Sequence, residues 1–169
     1  SHPGALASIV LEAARKNYIC WGFTHADSLL LSHGGKRAFF GTNPICFAAP
    51  RKNEEPFCLD MATSKISWNK LLSFKDNKLN LKNDLAADQY GNSTILTSKA
   101  KTLIPVGDYK GYGLASMIEI LCGVFTGMNF GRSIKAMYTT SIREKRKLGQ
   151  FSIVMKTDGV LSTNFFLKR

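Results

Sequence analysis

Apolar residues recur at helical spacing near the start of the chain and then give way to short continuous apolar runs. In residues 3–16 the apolar positions fall on one face, which predicts an amphipathic helix. That face consists of Leu6, Ile9, Val10, Ala13 and Ala14. Runs of strand length follow at residues 18–23, 45–49 and 57–61. The polar residues 50–56 are predicted to form a loop between the last two strands.

Further along the chain, turn signals separate polar and apolar segments. Thr63 or Ser64 is suited to cap a short helix that runs to residue 74. Residues 75–101 are polar and aperiodic, which predicts an excursion with one short strand. Residues 112–128 are the most apolar stretch, but glycines interrupt it and it is shorter than a membrane span. It therefore predicts a core helix.

The last turn signal is Thr157-Asp158-Gly159, which lies between two apolar runs and predicts a hairpin. The elements together predict a single domain over residues 1–169. Its class is α/β (α+β), with a mixed sheet and flanking helices.

The net charge of +11 allows an anionic partner. Most basic residues are spread through predicted loops, and the one dense run, residues 143–147, has no interleaved aromatic residues that would stack on bases. A solvated face is the favoured interpretation of this run, and a basic nucleic-acid-binding module is the alternative. We expect neither a nucleic-acid nor a membrane partner.

The four cysteines lie far apart in the sequence, at Cys20, Cys46, Cys58 and Cys122. They lack the paired close spacing of zinc ligands, so we expect no metal. Free thiols with apolar neighbours are typical of a reducing cytoplasm, where we expect the protein to act.

A glycine-flanked turn precedes the apolar helix and offers a candidate anion site. In Gly107-Asp108-Tyr109-Lys110-Gly111, glycines permit close backbone approach, and Lys110 adds a charge where a helix begins. A pyrophosphate is therefore a sensible ligand, and a tight turn with a solvent-facing lysine is the alternative. The turn is neither a Walker loop nor a Rossmann G-x-G-x-x-G motif.

Two other groups of polar residues are candidates for chemistry. Asp60 lies at a predicted strand end, which is either a plain strand-to-helix turn or a ligand-facing edge. Three histidines, His2, His25 and His33, are each structural or surface residues by default, although a carbonyl reduction needs a proton donor of this type.

Several motifs in this chain resemble, in order and spacing, those of a family of dehydrogenases. The family contains malate, L-lactate, ureidoglycolate and L-sulfolactate dehydrogenases and diketogulonate reductases. The motifs are Ser1-His2-x-Gly4, Gly34-Gly35, Gly41-Thr42-Asn43-Pro44, Leu59-Asp60-Met61-Ala62-Thr63-Ser64, Lys110-Gly111-Tyr112-Gly113-Leu114 and Met137-Tyr138.

The resemblance implies a non-Rossmann, L-sulfolactate dehydrogenase-like fold that binds NAD or NADP and interconverts a small 2-hydroxy acid and its 2-oxo acid. His2 matches the histidine that donates and accepts the proton, and Asp27 matches an acid beside the substrate that is able to orient or stabilise that imidazole. The implied cofactor contacts are Asp60, Met61, Ala62 and Lys110.

Members of this family are homodimers about twice this length, so the resemblance predicts a piece of a longer chain. The family's N-terminal arginine for the substrate and its C-terminal helices lie outside these residues. Ala26 stands where some members have a cofactor-contacting serine, and Asn69 replaces a glycine. These departures leave an inactive, truncated family member as a third alternative.

Overall fold

The computed structural model describes residues 4–82 and 84–168, which contain two four-stranded sheets. The strands are β1 (Tyr18–Thr24), β2 (Leu30–Leu31), β3 (Ala38–Phe40), β4 (Ile45–Arg51), β5 (Glu54–Met61), β6 (Ala86–Ala87), β7 (Thr102–Leu103) and β8 (Gln150–Lys156). The first sheet has the order β5-β4-β1-β8 and is antiparallel throughout. The second sheet, β3-β2-β7-β6, pairs β2 with β7 in parallel. The predicted mixed sheet is therefore confirmed in the second sheet.

Within the described residues, four α-helices pack around these sheets: α1 (Leu6–Arg15), α2 (Trp68–Asp76), α3 (Tyr109–Glu119) and α4 (Thr163–Phe166). Helix α1 confirms the amphipathic prediction, because Leu6, Val10 and Ala14 are buried against the first sheet. The approach is so close that a Cβ atom on Gly22 of β1 would lie 2.9 Å from Val10 Cγ1.

Helix α3 links the cores of the two sheets. Ala115 belongs to the cluster built on β2 and β7, whereas Ile118 packs with Phe23 and Ile45 of the first sheet. A π-helical turn, Ile120–Val124, continues α3. Ile120 and Phe125 are largely exposed, at 57% and 73%, so the predicted core helix is buried on one side only.

Three local predictions were wrong. The polar segment at 50–56 is not a loop: β4 and β5 extend into it and meet at Lys52-Asn53, where Asn53 adopts a left-handed φ of 57° that asparagine tolerates. Helix α2 is capped by neither Thr63 nor Ser64. Its cap is Ser67, whose hydroxyl accepts from the Lys70 N–H (3.2 Å).

The predicted hairpin at residues 157–159 is also absent from the described part of the chain. Strand β8 pairs along its length with β1 instead, and a short 3-10 turn and α4 follow it. Ser162 caps α4 by accepting from the Phe165 N–H, so the local polar residues favour a helix over a returning strand.

No helix within residues 4–82 and 84–168 has the length and apolar character needed to cross a membrane.

Candidate active site

A cleft of about 300 Å³ lies between the end of β1, the start of α2 and the segment that precedes β8. Its lining residues come from distant parts of the sequence, so the cleft exists only in the folded chain. They are Gly4, Thr24, His25, Ala26, Asp27, Leu29, Thr42, Pro44, Ser67, Trp68, Asn69, Met137, Tyr138, Arg146 and Leu148.

Asp27 is the buried carboxylate of this cleft, and its side chain is only 7% exposed. Its Oδ1 atom accepts from Arg146 Nη2 in an ion pair, and its Oδ2 atom accepts from the Met137 N–H (3.1 Å). Both contacts span more than a hundred residues of sequence. Asp27 therefore holds the segment of residues 135–148, which we name the closing segment, against β1.

Arg146 is a cleft residue that sequence reasoning missed. It lies in the basic run interpreted as a solvated face, and its neighbours Lys145 and Lys147 are indeed exposed. Arg146 itself is folded inward, with a side chain 16% exposed and its Nε atom donating to the Lys135 carbonyl oxygen (2.8 Å). No local pattern distinguishes it from its neighbours, because its partner Asp27 is 119 residues away.

A second contact closes the cleft on the side of α2. The Tyr138 hydroxyl donates to Asn69 Oδ1, and Lys135 forms an ion pair with Glu144 within the closing segment. Asn69 was identified as a departure from the related family. In the structure it anchors the closing segment to the first turn of α2.

A buried polar network around Glu119 lies next to the cleft and includes the cleft residue His25. Glu119 accepts from Asn43 Nδ2 (2.6 Å) through one carboxylate oxygen and from the Gly131 N–H (2.5 Å) through the other. His25 Nε2 accepts from the Gly149 N–H (2.9 Å), and its Nδ1 faces Glu119 Oε1 at 3.7 Å. A neutral His25 therefore carries its proton on Nδ1, towards the carboxylate.

The Cys122 thiol lies near this network. Burial raises the pKa of the thiol to about 12, and the Glu119 charge adds to the effect.

Asp60, Met61 and Ala62 lie at the end of β5, outside the lining of this cleft. Asp60 Oδ2 accepts from the Ala7 N–H (3.0 Å), so this carboxylate caps the first turn of α1. This contact helps to fix where α1 begins.

Lys110 lies exposed in the first turn of α3, also outside the cleft lining. Gly107 and Asp108 before it both have left-handed φ values, 58° and 57°, and Asp108 makes no side-chain cap. The Asp108 carboxylate turns to His33 Nδ1 instead (3.2 Å). Gly111 must lack a side chain, since a Cβ atom there would lie 2.2 Å from the Val106 carbonyl oxygen.

This exposed helix end suits a phosphate group, because the helix dipole and the Lys110 charge act at the same place. The Asp108 carboxylate opposes this attraction, but it is turned towards His33 Nδ1, 3.2 Å away. The residues present therefore fit the phosphates of a dinucleotide.

His2 lies outside the described residues. Gly4, two residues later, is the first described residue that lines the cleft. His33 is half exposed beside Asp108 and does not line the cleft, whereas the His25 side chain is buried and already accepts a backbone hydrogen bond.

Comparisons with known proteins agree on one family. The chain is 34% identical over 165 residues to ureidoglycolate dehydrogenase (NAD(+)) of Escherichia coli, covering 98% of this chain and 47% of the relative. It is 35% identical over 132 residues to (2R)-3-sulfolactate dehydrogenase (NADP(+)) of Chromohalobacter salexigens, covering 77% of this chain and 40% of the relative.

The fold is similar to the solved structure of sulfolactate dehydrogenase from Methanocaldococcus jannaschii. The TM-score is 0.88 at 29% identity, over 99% of this chain and 48% of the solved chain. The non-Rossmann, sulfolactate dehydrogenase-like fold expected from the motifs is thereby confirmed. The chain spans about half the length of the curated relatives it matches. Because residues 1–169 all match the family profile, this chain belongs to the malate/L-lactate dehydrogenase family.

Proposed function

We propose that residues 1–169 form a single cofactor-binding domain of an NAD(P)-dependent dehydrogenase that interconverts a small 2-hydroxy acid and its 2-oxo acid. The observation that carries the proposal is the cleft in which the buried Asp27 and Arg146 meet, in a chain that matches a dehydrogenase family over its whole length. The relatives named above are dehydrogenases of ureidoglycolate and sulfolactate, with NAD(+) and NADP(+) respectively.

The cofactor would bind at the exposed end of α3 and along the end of β5. Lys110 and the turn at Gly107 would hold its phosphates, and Asp60, Met61 and Ala62 would contact it. Gly111 supports this placement indirectly, because it lets the start of α3 pack closely on the backbone of Val106. When bound, the nicotinamide supplies or accepts the hydride at C2 of the acid.

Proton transfer would fall to His2, which lies two residues before the cleft residue Gly4 in the sequence. A general acid near neutral pH is needed at the substrate oxygen, and histidine meets that need. Asp27 would stabilise the imidazolium through its charge, since both of its oxygens already accept hydrogen bonds from the closing segment.

The setting of the full-length protein is part of the same proposal. We expect a homodimer in a reducing cytoplasm: all four cysteines are free, and apolar side chains such as Phe57 (52%) and Phe125 (73%) are exposed. Of the alternatives, a nucleic-acid-binding module has only the net charge in its favour.

The test is an absorbance assay of NADH and NADPH oxidation in the full-length protein against a panel of 2-oxo acids. Turnover on the ordinary enzymatic scale, about 1 s⁻¹ or faster, is expected for at least one acid. No turnover with any acid and either cofactor would favour the inactive family member instead.

The role of His2 is tested in the same protein. His2→Ala should lower kcat by about 100-fold or more, the usual scale for losing a positioned acid or base. The ionisation near neutral pH should vanish from the pH profile as well. Because His33 is outside the cleft, His33→Ala is the matched control and should leave the profile intact.

A further inference from the structure

A second concave surface lies on the sheet that contains β2 and β7, outside the cleft around Asp27. It is a pocket of about 340 Å³, which we name the basic pocket. The hairpin of β2 and β3, the turn after β6, strand β7 and the 3-10 turn Gly131–Ser133 all contribute to its lining. No residue of this lining belongs to the cleft or to the turn before α3.

The basic pocket carries a large excess of positive charge. Its described lining contains four cations, Lys36, Arg37, Lys101 and Arg132, and one carboxylate, that of Asp88. Four positive charges against one negative charge leave an excess of three. All four cations are exposed, and none forms an ion pair within residues 4–82 and 84–168. Unpaired cations around a concave surface repel one another and concentrate anions from the solvent.

The Asp88 carboxylate is engaged by the turn in which it lies. Its Oδ1 atom accepts from the Tyr90 N–H (2.8 Å) and from the Asn92 N–H (3.0 Å). An aspartate that closes its own turn in this way has a local structural role. The positive charges of the basic pocket are therefore left for a ligand.

A buried hydroxyl group without a partner belongs to the same lining. Thr102 of β7 is 6% exposed, and its Oγ1 atom makes no hydrogen bond to any described residue. A buried hydroxyl costs free energy when it is left unpaired, so native structures seldom keep one without a reason. A ligand oxygen seated beside Thr102 would accept from this hydroxyl and remove that cost.

We propose that the basic pocket binds a compact oxyanion with several negative charges, of the pyrophosphate or tricarboxylate class, at a site separate from the cleft and from the α3 end. The basic side chains supply charge, and Thr102 supplies a neutral donor. The guanidinium groups of Arg37 and Arg132 match the paired oxygens of phosphate and carboxylate groups. The volume of the pocket suits one small ligand.

Calorimetric titration of inorganic pyrophosphate into the full-length protein tests the proposal. Kd should be below about 1 mM and should rise with added salt, because the attraction is electrostatic. The same titration in Lys110→Ala separates this site from the α3 end, and binding should persist there. Citrate titrated in parallel shows which of the two oxyanions the pocket prefers.

Substitutions in the lining locate the site. Arg132→Gln and Lys101→Gln should each raise Kd for pyrophosphate by about tenfold, the scale of one charge-assisted contact. Arg143→Gln and Lys145→Gln are the matched controls, because both residues are exposed and outside the lining. They should leave Kd unchanged. All four substitutions are at exposed positions, so folding should be preserved.

Thr102→Val tests the buried hydroxyl, because valine keeps the shape of the side chain and removes only the donor. It should raise Kd by about fivefold, and an unchanged Kd would overturn the role of Thr102. The proposal as a whole is overturned if neither anion binds the wild type with Kd below about 1 mM. It is overturned equally if Arg132→Gln and Lys101→Gln match their controls, or if Lys110→Ala abolishes binding. None of these outcomes depends on dehydrogenase activity.

Discussion

The cleft around Asp27 and the exposed end of α3 around Lys110 are built in opposite ways. The cleft joins side chains that are more than a hundred residues apart and largely removed from water. At the α3 end, Gly107 to Gly111 are neighbours in sequence, and both Asp108 and Lys110 are exposed. Changes in the cleft should therefore cost folding stability as well as function, whereas changes to the exposed side chains of Asp108 and Lys110 should cost binding with little loss of stability.

Two aspartates give the sharpest stability contrast. Asp27→Ala leaves the mostly buried Arg146 without its counter-ion and the Met137 N–H without its acceptor, so we expect a loss of about 3 kcal/mol in the free energy of unfolding. Asp108→Asn removes the charge from an exposed contact to His33, keeps a residue type that tolerates the left-handed φ, and should cost about 0.5 kcal/mol or less. Urea denaturation measures both, and equal losses would contradict the contrast.

Substitutions at two glycines test how closely α3 packs against the neighbouring backbone. Gly111→Ala places a methyl group 2.2 Å from the Val106 carbonyl oxygen, which should destabilise the fold by about 2 kcal/mol. Gly113→Ala, two residues later, meets no atom within 4 Å and should stabilise the helix by up to about 1 kcal/mol. Thermal unfolding of the two variants should therefore shift in opposite directions. A rise in the unfolding temperature of Gly111→Ala would show that Gly111 is not packed on the Val106 backbone.

The smallest effect concerns the buried thiol beneath the cleft. Burial raises the pKa of Cys122 from its ordinary 9.0 to about 12. As the pH rises, the thiol therefore loses its proton in the unfolded chain before it does so in the folded protein. The contribution of the protonated thiol to the free energy of unfolding is present in full below pH 9 and is lost between pH 9 and 12. In the wild type, the free energy of unfolding should fall as the pH rises above 9. Cys122→Ala should reduce this fall by about 1 kcal/mol at pH 10.

The control for this prediction is Gly113→Ala, because that variant changes stability without removing a titratable group. Urea denaturation at pH 8, 9 and 10 should give the Gly113→Ala variant the same dependence of the unfolding free energy on pH as the wild type. If Cys122→Ala has the same dependence of the unfolding free energy on pH as the wild type, the thiol does not change its protonation on unfolding.

The sequence predicted elements whose signals are local. The apolar face of α1 and the turn before α3 were both identified from residues close together in the chain. The hairpin of β4 and β5 was mistaken for a loop because Arg51 and Glu54, at its exposed tip, are polar and carry no burial signal.

The cleft was predicted only in part, through the resemblance that singled out Asp27. Arg146 lay in a basic run and Asn69 counted as a departure from a motif, yet both line the cleft. Their roles depend on contacts to Asp27 and Tyr138 that are set by tertiary packing. No period or spacing in the sequence encodes such contacts.

The central claim is that the exposed end of α3 binds the cofactor's phosphates, and one titration tests it directly. NADH and NADPH fluorescence should be followed for Lys110→Ala and for Lys145→Ala, an exposed lysine of the closing segment, in the full-length protein. Lys110→Ala should weaken binding of the cofactor by about tenfold, as expected for one charge-assisted contact, while Lys145→Ala should leave Kd unchanged. An equal loss in both variants, or none in Lys110→Ala, would contradict it.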